Sequence, residues 1–296
     1  MKNTIIKGLT DLVEQKRDNL IRQVVVQLEA QGYKAVLEQA TVQQFCRQFA
    51  LSPVEFALRC LPVAACYALT PISQFNVGAI AIGQSGSFYF GANQEFVAAS
   101  MQQTVHAEQS AISHAWLAGE KAIAHMVVNY TPCGHCRQFM NELNSAERLK
   151  IHLPHSQNNL LHNYLPDAFG PKDLNIQNVF FDGQSHPFNY QGHDPLIRAA
   201  VEAASQSYAP YSQAFSGVAL QLGELIICGR YAENAAFNPT FLPLQSALNY
   251  QRLQGLIDVK VRRVVMAEAK ADLTSLPMTQ SLAGAHLGLD IEYISL

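Results

Sequence analysis

The chain has 296 residues, 49% of them hydrophobic and 15% charged, with a formal net charge of -3. That length predicts two domains with room for a sizeable core in each, and the balanced composition excludes a disordered or low-complexity chain. No cluster of Lys and Arg marks the footprint that phosphate binding requires, so a nucleic-acid partner is not expected.

In chain order, the first twenty residues carry charges at Lys2, Lys7, Asp11, Glu14, Lys16, Arg17 and Asp18. They leave no apolar run for a secretory leader and predict a cytoplasmic protein. Apolar residues at three- and four-residue spacing predict a small helical domain over 1–50. Ser52 as N-cap and Pro53 at the first helical position then open a further helix. The most apolar stretch, Cys60 to Leu69, contains Pro62 and falls well short of the roughly 20 residues a membrane span needs, so no membrane partner is expected. "FNVGAIAIG" and "SFYFGA" read as strands joined by a turn at Gly86, and "TVHAEQSAISHAWLAG" as a helix closed by Gly119. "AIAHMVVNY" reads as a strand and "TPCGHCRQFMNEL" as the next helix. This alternation predicts an α/β domain over 51–152, a mixed sheet flanked by helices. Residues 153–193 mix prolines with Asn and lack a sustained period, the texture of a linker.

Over 194–296 the chain repeats itself. "PISQFNVGAIAIG" from Pro71 matches "PYSQAFSGVALQLG" from Pro210 with one inserted residue. "FGANQEF" from Phe90 lines up with "CGRYAEN" from Cys228, pairing Gly91 with Gly229 and Glu95 with Glu233. "HAEQSAI" from His106 lines up with "LPLQSAL" from Leu242. In the second copy Leu242 and Leu244 replace His106 and Glu108, and no Cys-x-x-Cys follows. The first copy is therefore expected to hold the chemistry and the second to keep the fold.

Four of the six cysteines, Cys46, Cys60, Cys66 and Cys228, lie in apolar surroundings and read as buried thiols. The other two form the Cys-x-x-Cys of "NYTPCGHCRQF". Taken alone, that pair fits a redox couple, half of a structural zinc site or coincidence. Thr131 as N-cap and Pro132 as first helical residue place Cys133 and Cys136 in or beside the first turn of a helix, where its dipole favours thiolates, the metal-binding form. A structural zinc site would require a second Cys or Cys/His pair at similar spacing, and none is present. His106 completes a His/Cys/Cys set with a fourth position open for water, the catalytic arrangement. Glu108, about 200° from His106 on a regular helix, need not be a ligand. Beside the metal its carboxylate can act as general acid and base.

H-x-E followed by P-C-x-x-C resembles the signature of zinc-dependent nucleoside and base deaminases. With "FNVGAIAIG" and "FGANQEF", the chain resembles cytidine deaminases over nearly its whole length, in their long-chain homodimeric form. The resemblance implies two similar three-layer α/β/α deaminase-like domains, catalytic over 51–152 and degenerate over 194–296, behind the helical domain. It implies one zinc per chain, held by His106, Cys133 and Cys136, with Glu108 as proton shuttle. Asn93, Gln94 and Glu95 match the segment that grips the ribose, and Phe75 matches the aromatic against the pyrimidine. The backbone around Ala107 and Thr131 reads the base edge, and Phe169 resembles a residue that closes the partner subunit's pocket. The reaction implied is attack of zinc-bound hydroxide on C4 of cytidine or 2'-deoxycytidine, giving uridine or 2'-deoxyuridine and ammonia in pyrimidine salvage.

Two other readings stay open at this point. A binding module with a structural zinc predicts a fourth protein ligand, and a deaminase of free bases or polynucleotides has no use for a ribose grip or needs a basic groove. Among the histidines, His114, His125 and His135 compete with His106 as ligands. His125 reads as a core or edge residue, and His152, His155, His162, His186, His193 and His286 as surface loop residues.

Overall fold

The computed structural model describes residues 2–296. Helices α1 (Lys2–Lys16), α2 (Asn19–Ala30), α3 (Gln39–Phe49) and α4 (Pro53–Ala65) come first, interrupted by the two-residue strand β1 (Val36–Leu37). Ser52 and Glu55 form the reciprocal capping box that starts α4, with Pro53 in its first turn. Strands β2 (Gly78–Gly83) and β3 (Phe88–Ala92), helix α5 (Ala107–Leu117), strand β4 (Ile123–Val128), helix α6 (Gly134–Met140) and strands β5 (Lys150–Leu153) and β6 (Ser156–Leu160) follow. The short helix α7 (Leu161–Tyr164) leads to helix α8 (Pro195–Ser205), strands β7 (Ser216–Leu222) and β8 (Leu225–Arg230), and helix α9 (Pro243–Leu253). Strand β9 (Arg263–Glu268), helix α10 (Leu276–Leu282) and strand β10 (Glu292–Ser295) end the chain.

The first sheet runs β1-β3-β2-β4-β5-β6 and the second β10-β9-β7-β8. In both, an antiparallel hairpin (β2 with β3, β7 with β8) abuts an antiparallel third strand, and the fourth strand joins in parallel. The repeat in the sequence is thus a repeat of topology. On β2, Ala79 and Ala81 face the core shared by both halves, while Ile80 and Ile82 face the N-terminal helices. On β7, Val218, Leu220 and Leu222 face that same shared core, and Ala219 faces α8. This is the period-two pattern of sheets covered on both sides.

Helices α5 and α9 form the middle layer between the two sheets, which explains why α5 is buried all round from Ala107 to Trp116. Each lies on its sheet at a glycine: a Cβ at Gly91 would sit 2.2 Å from Ala111 N, and one at Gly229 would sit 2.2 Å from Ala247 N. Across the layer the contacts pair up about a pseudo-twofold axis. Ser110 Oγ donates to Asn249 Oδ1 at 2.5 Å, and Ser113 Oγ meets Ser246 Oγ at 3.2 Å. Gln109 Nε2 donates to Pro239 O, as Gln245 Nε2 does to Gln102 O.

Several expectations need correction. β1 places part of the expected helical stretch 1–50 at the edge of the first sheet, paired with β3. The stretch expected as a linker carries β6, which pairs with β5. Its polar sequence, Ser156 to Leu160, suits a mostly exposed edge strand and hides the alternation that marks a covered one. His152, expected at the surface, is 3% exposed on β5, and His186 and His286 are half-buried. Of the four thiols expected to be buried, Cys60 is, and Cys46, Cys66 and Cys228 are half-buried.

Candidate metal centre and active site

Two chain turns meet at the N-terminal ends of α5 and α6. His106 is the N-cap of α5 and keeps an extended backbone (φ -87°, ψ 152°), so the angle expected between His106 and Glu108 on a continuous helix does not apply. The helix begins at Ala107, and both side chains reach the same point. α6 also starts later than expected: Cys133, and not Thr131, is its N-cap with φ -71° and ψ 168°, which puts Cys136 at its third position.

His106 Nδ1 lies 3.4 Å from Cys133 Sγ and 3.4 Å from Cys136 Sγ, and the sulphurs are 3.7 Å apart. A tetrahedral zinc with bonds of about 2.3 Å to sulphur and about 2.0 Å to nitrogen would separate two sulphurs by about 3.8 Å, and sulphur from nitrogen by about 3.5 Å. The three donors therefore fit zinc. Among the described residues this is the one His, Cys, Asp or Glu group placed to hold a metal ion, and it has three members. His135 is outside it, its ring stacked on His106 at 4.6 Å. His114 is buried on α5 with Nδ1 3.0 Å from Phe90 O, and His125 pairs with His152 at 3.0 Å.

Glu108 is 5% exposed, and its Oε2 lies 3.2 Å from Cys136 Sγ. Burial pushes the Glu108 carboxyl above the usual carboxylate range. Cys133 is drawn down to about 3 by hydrogen bonding from the Cys136 thiol, against the cost of its own partial burial and with help from His106. Burial raises the Cys136 thiol. The chain thus pairs one exposed, readily ionised sulphur with one buried sulphur.

The remaining candidates border this point unequally. Phe75 is half exposed in the loop before β2, its ring 4.7 Å from that of Tyr130. Asn93 Nδ2 donates to Phe75 O at 2.9 Å and its Oδ1 accepts from Val77 N at 2.8 Å. Glu95 Oε2 accepts from Ile72 N and Ser73 N at 2.9 and 3.0 Å. Both side chains therefore hold the loop that presents Phe75. The side chain of Gln94 points into the core instead. It is 2% exposed and donates to Asn249 Oδ1 at 2.7 Å, because alternation along an extended segment turns it away from its neighbours. Ala107 is buried at the start of α5, Thr131 is exposed, and Phe169 is 49% exposed, with its carbonyl bound by Gln138 and Asn141. Tyr130 was not singled out from sequence. Its one signal is an aromatic three residues before Cys133.

A family profile described as the cytidine and deoxycytidylate deaminase zinc-binding region matches residues 52–152, and a second of the same description matches 161–280. The chain is 63% identical to a cytidine deaminase of Actinobacillus succinogenes over 100% of both chains. It is 64% identical to a cytidine deaminase of Actinobacillus pleuropneumoniae serotype 5b over 97% of this chain and 96% of that one. A solved cytidine deaminase from Mycobacterium tuberculosis aligns at 31% identity over 38% of this chain and 91% of that chain, with a TM-score of 0.34.

Proposed function

Because this chain belongs to the cytidine and deoxycytidylate deaminase family, we propose that it is an enzyme that hydrolyses the C4 amino group of cytidine, leaving uridine and ammonia. The observation that carries this reading is the buried Glu108 carboxylate beside three donors spaced for zinc. Zinc would be held by His106, Cys133 and Cys136 and, when bound, would supply Lewis acidity for ionising water near neutral pH.

The chain's own groups do the rest. Glu108 takes a proton from the attacking water at a carboxylate oxygen and delivers it to N3 as C4 becomes tetrahedral. It then passes a second proton to the departing amine, so that one water and one cytidine become one uridine and one ammonia. Phe75, backed by Tyr130, lies against the pyrimidine face, and the backbone at Ala107 and Thr131 reads the base edge. Asn93 and Glu95 bind the ribose hydroxyls. Since the same two side chains tie down the loop carrying Phe75, sugar recognition and base stacking are mechanically linked. The enzyme also accepts 2'-deoxycytidine and works in pyrimidine salvage in the cytoplasm.

Residues 51–152 form the catalytic unit and 194–296 a non-catalytic copy, and two chains associate as a homodimer. Support comes from large apolar side chains left exposed near the loop and beyond it: Ile72, Phe75, Met101, Phe169 and Phe237. A second copy covers them, and Phe169 closes the pocket of that copy. The test is ultraviolet absorbance of cytidine and of 2'-deoxycytidine with wild type and Glu108→Ala side by side, with zinc measured in both. Substrate loss with wild type alone, at equal zinc content, is expected. A zinc-loaded wild type without turnover would return the protein to the class of structural-zinc modules.

A further inference from the structure

Among the described residues the C-terminal half has no cluster placed to hold a metal, yet it grips the helix that carries two of the donors. Glu142, just past the Asn141 cap of α6, is fully buried. Its Oε1 accepts from the hydroxyls of Tyr208, at 2.7 Å, and Tyr211, and its Oε2 accepts from Ala235 N at 3.1 Å. Alongside, Asn234 Nδ2 donates to Gln138 O on the same helix at 3.0 Å. In the repeat, Tyr208 and Tyr211 take the places of Leu69 and Ile72, which have no hydroxyl to offer. The donors are thus present only in the copy that faces α6.

α6 spans Gly134–Met140. A helix of about two turns has little stability of its own, so its tethers set the direction in which Cys133 and Cys136 point. At one end Arg137 Nε donates to Pro132 O at 2.8 Å and Nη1 to Tyr164 O at 2.9 Å. At the other end the tether is Glu142, whose two buried oxygens accept three hydrogen bonds sheltered from water.

We propose that Glu142 is a positioning residue for the metal: through Tyr208, Tyr211 and Ala235, the donor-free half holds α6 so that Cys133 and Cys136 stay at ligand spacing. This rests on the reading that His106, Cys133 and Cys136 hold zinc. Metal retention is then partly a property of the C-terminal half.

The experiment is the rate of zinc transfer from the full-length holoprotein to an excess of a colorimetric chelator. Glu142→Gln, which keeps the side chain's size and removes its charge, is compared with Leu196→Ala, which opens the core under α8 away from α6. Melting temperatures are recorded for both. Glu142→Gln is expected to release zinc about tenfold faster, in the range seen for groups that orient metal ligands. Leu196→Ala is expected to melt earlier and release zinc at the wild-type rate. Release from Glu142→Gln no faster than from wild type or from Leu196→Ala would overturn the proposal. If Glu142→Gln does not fold, Tyr211→Phe, which leaves two of the three donors, carries the same comparison with a smaller effect. Cys136→Ser separates the underlying reading: wild-type zinc content in that variant would refute the ligand assignment instead.

Discussion

At the scale of single residues, position relative to a helix start decides which groups can do chemistry. Glu108 and His106 converge because the helix begins between them, and substituting Glu108 removes proton transfer without touching a metal donor. Glu108→Gln is expected to lower kcat for cytidine by at least about 10²–10⁴-fold with zinc retained, read by absorbance and metal analysis. Glu95 can be separated from its structural duty by its counterpart. Glu233 Oε2 accepts from Tyr211 N and Ser212 N at 2.8 and 3.1 Å, the same loop clamp in the half without donors. Glu95→Gln is therefore expected to raise KM for cytidine, whereas Glu233→Gln lowers melting temperature and leaves KM near wild type; equal KM values in the two would remove Glu95 from the ribose site. The buried histidines set the acid limit. Burial, with His125 and Lys150 nearby, lowers His152 from 6.5 to about 4, and burial lowers His114 likewise to about 4. Between those values the unfolded chain binds protons that the folded chain refuses. The stability they contribute is complete above about pH 6.5 and is lost as pH falls toward 4. Melting temperature should drop across that window, and His152→Gln should flatten the drop without abolishing it, since His114 remains.

At the scale of elements, the contacts between helix and sheet are made at glycine. Gly91→Ala would drive a methyl into the α5 backbone at Ala111. It should cost about 1–3 kcal/mol by overpacking and shift α5, which carries Glu108, so that both denaturant midpoint and kcat fall. What could be read from sequence followed locality. The Ser52 cap, the Cys-x-x-Cys spacing and the hairpin at Gly86 depend on neighbours a few residues apart, while His106 and the second copy were legible from matching motifs rather than from contacts. Tyr130 was not legible because its ring is placed by Phe75, 55 positions earlier in the chain. β6 was not legible because a mostly exposed edge strand needs no apolar face. That the Gln94 side chain turns into the core while its neighbours face the loop was not legible, because only the fold shows the faces of an alternating backbone.

At the scale of the whole molecule, the two halves share one core. A chain ending at residue 193 would bare the face of α5 that α9 covers, including Ser110, Ser113 and Gln109. It is expected to aggregate in size-exclusion chromatography, whereas two independent domains would leave a soluble N-terminal piece with cytidine turnover. The intact protein should sediment at about twice the 32.6 kDa of one chain, and a species of single-chain mass with full activity would remove the need for a partner at the pocket. The α5 and α9 layer between the sheets also has a consequence for time. Past its first turn, which opens on the site, backbone amides of α5 can reach deuterated solvent only when both sheets part, so they should exchange at the slowest, globally limited rate. The loop at residues 71–76 is exposed, with Ile72 N and Ser73 N held by Glu95 alone, and should exchange far sooner. Proton transfer would then be anchored to the most slowly exchanging part of the molecule and nucleoside entry governed by one of the fastest, each on its own clock.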